Sequence, residues 1–158
     1  MTSSAHDPRV APPLYIVVAY VPRRSELPIG ALGAVALERG WYAYVGSARR
    51  SRPARVARHL AREKPLRWHI DYLLTAFRAR GAWLVDGPAS ECALADALAA
   101  TPGADRGPRG FGSSDCRCTG HLVRLGRRPR RRDLALAAHA AGAPATGAVR
   151  AFGRRPSR

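Results

Sequence analysis

The run LYIVVAYV, residues 14–21, limits the fold of this chain more than any other feature. It is rich in β-branched and aromatic side chains, so it reads as a strand, and Pro22 ends it. Two further runs, GAVALE (33–38) and WYAYVG (41–46), flank the short turn Arg39-Gly40 and predict an antiparallel hairpin. Pro53 suits the first turn of a helix running through ARVARHLAREK, with Val56 and Leu60 toward the core and Arg55, Arg58, His59 and Arg62 on another face or its edge. Ile70, Leu73, Leu74 and Phe77 repeat at helical spacing and predict a second helix over 68–80, closed by Gly81. AWLVD (82–86) reads as a strand. Ser90 is an N-cap for a third helix, ECALADALAA, and Glu91 complements its positive first turn. A Gly/Ser/Cys loop, 107–120, precedes a last strand, HLVRL (121–125), at the sheet edge. The expected class is α/β (α+β): a small antiparallel sheet flanked by helices over residues 13–125, after a flexible N-terminus (1–12). A basic, mostly disordered tail (126–158) follows, with at most a weak helix at 133–141, because it holds few large apolar groups.

Charge narrows the partners. Lys and Arg number 27 against 11 acids, a formal +16. From Arg124 onward ten Arg face one acid, Asp133, leaving +9 there and +7 on the first 123 residues. Codon bias accounts for Arg in place of Lys, but not for the surplus of bases over acids. A surface of this kind suits a polyanion, nucleic acid being the commonest. No apolar run reaches the ~18 residues of a membrane span, and the N-terminal residues lack the apolar core of a signal peptide. Three Cys (92, 116 and 118) do not suggest a disulfide framework, and a cytoplasmic location is expected.

Several residues in this framework carry chemistry. Tyr15 lies on the first strand; Tyr44 and Gly46 end the hairpin; Arg55 and His59 share a helix; Glu91 begins another. Tyr44-Val45-Gly46, then Arg55-Val56-Ala57-Arg58-His59, then Glu91 followed by Leu94, resemble the motifs of the GIY-YIG nuclease superfamily. Pro13-Leu14-Tyr15 stands where its first motif belongs, with only the Tyr retained. The blocks at 40–48, 68–74, 110–118 and 121–122 are most similar to a small bacterial and archaeal branch described only as a domain of unknown function.

The resemblance implies a DNA endonuclease using one divalent metal, Mg²⁺ or Mn²⁺. Glu91 would bind the metal, Arg55 would present its fork to phosphate oxygens, and Tyr15, Tyr44 and His59 would serve the attacking water. Gly46 and Ser47 favour close backbone approach; Arg49, Arg50, Arg58 and Arg62 would grip the nucleic-acid backbone. Ser113 and Ser114 would bind phosphate or orient a site residue, and His69 and Asp71 would tie the second helix down. Two other readings stay open: a catalytically degenerate nucleic-acid-binding domain and a zinc-stabilised interaction domain. Cys116-Arg117-Cys118 with His121 offers soft ligands, but structural zinc sites usually space their Cys by two to four residues. A fourth ligand, His69 or Cys92, would have to come from elsewhere. A buried thiol pair is the favoured reading, and zinc is not expected.

Overall fold

A computed structural model describes residues 13–113, 116–144 and 147–153. Its centre is β1 (Leu14–Val21), which pairs antiparallel along its whole length with β4 (Gly40–Ser47), from Leu14↔Ser47 to Val21↔Gly40. On its other side β1 pairs with β5 (Ala79–Val85). β7 (Leu122–Leu125), β6 (Asp105–Arg106) and β8 (Val149–Ala151) complete an antiparallel sheet of order β6-β7-β4-β1-β5-β8. Alternation along β1 then builds two cores. Leu14, Ile16 and Val18 join Ala43, Val45, Val123 and the inner sides of α3 (Glu91–Ala99) and α4 (Arg131–Ala140). Tyr15, Val17, Ala19 and Val21 join Tyr42, Leu84 and the inner sides of α1 (Arg52–Leu60) and α2 (His69–Ala76). With both faces covered by helices, β1 has to be apolar throughout. The expected mixed class with a helix-flanked antiparallel sheet is what the chain adopts.

Four local expectations are corrected. The hairpin predicted between 33–38 and 41–46 does not form. β3 (Ala34–Leu37) pairs instead with β2 (Ser25–Pro28) in a separate two-stranded sheet, an excursion inserted between β1 and β4. The eight-residue register of β1 with β4 buries Ile16 and Val18 beside Val45 and Ala43, which the shorter run 34–37 cannot match. The second helix stops at Ala76. Ala79, Arg80 and Gly81, expected at its end, instead extend the expected strand 82–86 toward its N-terminus, and β5 pairs with β1. Leu60, expected inside, is 37% exposed, whereas His59, expected on a charged face, is buried at 1%. β7 is not an edge strand, since β6 covers it.

The expectation of a mostly disordered segment from 126 onward is also corrected. α4 is capped by Asp133, whose carboxylate accepts from the Arg130 N–H at 2.7 Å, and it buries Leu134, Ala137 and Ala138 against the α3 face. β8 adds Val149 beside Val85, and the Arg131 guanidinium donates to the Val149 carbonyl at 3.1 Å. No helix among the described residues is long and apolar enough to cross a membrane.

Candidate functional site

Strand register builds the first half of the site. Tyr15 stands opposite Gly46, and Val17 opposite Tyr44, so both tyrosines lie on the α1/α2 face with Gly46 beneath one ring. A Cβ on Gly46 would come within 2.5 Å of the Tyr15 hydroxyl. Gly46 therefore does allow close approach, and the group approaching is the Tyr15 ring. From α1, His59 reaches the same place: its Nε2 lies 2.8 Å from the Tyr15 hydroxyl. The ring centroids of Tyr15 and Tyr44 are 6.5 Å apart, and those of Tyr44 and His59 are 6.1 Å apart. Burial, with Arg58, Lys64 and Arg55 adding to it against Asp71, pushes the His59 pKa down to about 4. His59 is thus neutral at pH 7, and its Nδ1 has no partner among the described residues. Burial pushes the Tyr15 and Tyr44 hydroxyls well above the usual phenol range, with Arg55 pulling the other way.

Ser47, at the end of β4, joins this face to the other. Its carbonyl accepts from the Arg55 guanidinium at 3.1 Å, and its hydroxyl donates to Glu91 Oε1. Glu91 is the first residue of α3, placed there by Ser90, whose hydroxyl accepts from the Ala93 N–H at 3.1 Å. Its second oxygen lies 3.0 Å from Nδ1 of the buried His121. Burial favours the neutral acid. The hydrogen bonds from His121 and Ser47 and the charges of His121 and Arg55 outweigh it, and hold the Glu91 pKa below the usual carboxylate range. Ser47 has no counterpart among the expected catalytic residues, and no local sequence signal marks it as the bridge.

Beside this bridge, Ser47, Ala48, Arg49, Arg50, Ser51 and Arg55 line a cavity of about 390 Å³ at the N-terminus of α1. Ser51 caps that helix, and its first turn carries no acid. The remaining expected groups are placed differently. Arg58 turns its fork to Asp71, with bonds of 2.8 and 3.0 Å to the two carboxylate oxygens. Asp71, wholly buried, also accepts from the backbone N–H groups of Arg67 and Trp68, each at 2.9 Å, and so fixes the start of α2. Trp68 has the Arg55 guanidinium 4.7 Å and the Arg58 guanidinium 4.4 Å from its ring centroid. Sequence reading missed Trp68; an aromatic just before a helix gives no hint of this stacking. Arg62 lies past the end of α1, in a shallow depression with Glu63, Lys64 and Pro65. His69 Nδ1 accepts from the Gly112 N–H at 2.9 Å, which docks the 107–120 loop with its Phe111 ring against those of Tyr44 and His69. Ser113 is buried in that loop, and Ser114 lies outside the described residues.

That loop also delivers Cys116, Cys118 and His121 to Cys92 on α3. The four ligand atoms lie within 4.8 Å of one another. Burial and the neighbouring sulfurs push Cys92 up to about 12, whereas hydrogen bonds from Cys118 and Cys92 and the His121 charge hold Cys116 below the usual thiol range against its burial.

A family model described as "Domain of unknown function DUF123" matches residues 14–143, from β1 through α4. No curated protein and no solved structure matches the chain.

Proposed function

The chain belongs to the DUF123 family, a domain of unknown function, and on that premise we propose that it is a GIY-YIG-like endonuclease hydrolysing DNA phosphodiester bonds with one divalent metal. The observation that carries this reading is the meeting of Arg55 and Glu91 on the two sides of Ser47, beside the arginine-lined cavity. A phosphate in that cavity would meet the N-terminus of α1 and the forks of Arg49, Arg50 and Arg55.

Glu91 suits Mg²⁺ or Mn²⁺: it is ionised, only partly buried, and its oxygens retain acceptor sites beyond those used by Ser47 and His121. When bound, the metal supplies Lewis-acid polarisation of the phosphoryl oxygens. The chain's own residues do the rest. Arg55 neutralises charge developing on the phosphate, held in place by the Ser47 carbonyl and the Trp68 ring. In the tautomer that leaves Nε2 unprotonated, neutral His59 would accept the Tyr15 proton as Tyr15 takes one from water. Tyr44 packs beside both and shapes the wall against which the water sits.

A binding-only module is favoured by one fact: Tyr15 is 2% exposed and its hydroxyl resists ionisation. One experiment separates the two. Purified chain with Mg²⁺ is assayed on branched, damaged and single-stranded DNA beside Glu91→Ala and Arg55→Ala. Metal-dependent cleavage lost in both variants is expected. Wild-type inactivity on every substrate, with salt-sensitive binding that survives both substitutions, would leave only the binding module.

A further inference from the structure

Cys92 comes from α3 and Cys116, Cys118 and His121 from the segment leading into β7, yet their ligand atoms form one compact group. Cys92 Sγ lies 3.6 Å from Cys116 Sγ and 3.5 Å from His121 Nε2. Cys116 Sγ lies 3.1 Å from Cys118 Sγ and 3.3 Å from His121 Nε2. A zinc tetrahedron with Zn–S bonds of about 2.3 Å and a Zn–N bond of about 2.0 Å has S···S edges of about 3.8 Å and S···N edges of about 3.5 Å. Three of these four spacings come within about 0.2 Å of those edges, and the Cys116–Cys118 pair would open by about 0.7 Å to meet them. They are all far longer than the ~2.05 Å of a disulfide bond.

Donor chemistry points the same way. Three thiols and one imidazole make a soft set, with no oxygen among the four. His121 turns Nε2 to the sulfurs, and its Nδ1 lies 3.0 Å from Glu91 Oε2 but off the line of a hydrogen bond; zinc on Nε2 would put the ring proton on Nδ1, facing the carboxylate that would then orient the ring and raise its basicity. We propose that Cys92, Cys116, Cys118 and His121 bind one Zn²⁺ in a closed, four-coordinate structural site.

With no ligand position left for water, this zinc holds structure rather than performing chemistry. It clasps the 107–120 loop, which has no helix or strand among its described residues, to the start of α3. That loop covers Tyr44: a Cβ on Gly112 would lie 2.9 Å from the Tyr44 ring. The same clasp orients Glu91 through His121, so the zinc sets the position of the carboxylate without sharing its oxygens. The site stands independently of any nuclease activity.

The test is metal analysis of the full chain, purified under reducing conditions without chelator. One zinc per chain is expected, and Cys92→Ser and Cys116→Ser are each expected to lose it. Glu91→Gln keeps all four ligands and is expected to weaken zinc affinity about 10–100-fold. Replacement by Co²⁺ is expected to give the intense visible bands of a tetrahedral thiolate site. Absence of stoichiometric zinc in the wild type, stoichiometric iron in its place, a weak octahedral cobalt spectrum, or thiols found paired as a disulfide would each overturn the proposal. These wild-type readouts hold even if the Ser variants fail to fold, and none depends on DNA cleavage.

Discussion

Replacing Gly46 by Ala tests how the tyrosine and the sheet fit together. The new Cβ would come within 2.5 Å of the Tyr15 hydroxyl and 2.7 Å of Tyr15 Cε2, distances real Cβ atoms do not show. Neither side yields easily. The backbone of β4 is paired with β1 at this residue, and Val45 donates to the His121 carbonyl at 2.9 Å. Tyr15 is 2% exposed and bonded to His59. Overpacking of a full core costs about 1–3 kcal/mol. Displacing the ring also breaks the Tyr15–His59 hydrogen bond, worth about 0.5–1.5 kcal/mol. Gly46→Ala should therefore destabilise by about 2–4 kcal/mol, a fall in Tm of roughly 5–12 °C for a chain of this length. Urea denaturation with a double-mutant cycle isolates the cause. In a Tyr15→Ala background the Cβ enters vacated space, so the Gly46→Ala cost should fall to near zero, a coupling of about 2 kcal/mol or more. If the two costs simply add, the clash with Tyr15 is not what holds Gly46, and the reasoning fails.

Leu134→Ala, in the segment whose composition suggests disorder, should cost about 2–4 kcal/mol in chemical denaturation because Leu134 is wholly buried; a cost near zero would show α4 undocked. Asp71→Ala strands Arg58 and two backbone donors, and should cost about 3 kcal/mol by the same assay, with Asp71→Asn recovering part of it. His59 gives a pH signature. Its folded pKa of about 4 lies below the ~6.5 of an unfolded histidine, so the unfolded chain binds the extra proton and stability falls as pH drops from about 6.5 toward 4. The loss approaches about 3 kcal/mol; His59→Phe should lack it, and parallel stability curves for the two proteins would refute the assignment. Arg49→Ala with Arg50→Ala should lower the salt dependence of DNA binding by about one phosphate contact each, read as the slope of log affinity against log salt.

Local pattern carried much of this protein. The β-branched run at 14–21, the Ser90 cap with Glu91 behind it, and the three-to-four-residue spacing of Ile70, Leu73 and Leu74 each specify an element through short-range sterics and hydrogen bonding. The Arg surplus is a property of composition alone. Tyr15, Tyr44, Arg55, His59 and Glu91 are grouped by the resemblance of their motifs to a known superfamily, which composition and periodicity alone do not supply.

Tertiary structure decided the rest, because pairing and burial depend on residues far apart in sequence. Nothing within 33–46 tells β3 to pair with β2 and β4 with β1; the register that buries more apolar surface settles it. Nothing within ARVARHL marks His59 as inside. Its helix presents both Val56 and His59 to the sheet, and Tyr15 supplies the hydrogen bond that makes burying an imidazole tolerable. The short, small-residue helix α4 owes its order to a tertiary core, in which Leu134, Ala137 and Ala138 join Leu94, Leu98 and Leu125 from α3 and the sheet. The same holds for the sulfurs. Along the chain the fourth ligand beside Cys116, Cys118 and His121 stays open between His69 and Cys92; folding brings Cys92 to them and gives His69 to the Gly112 N–H, a choice that no local spacing encodes.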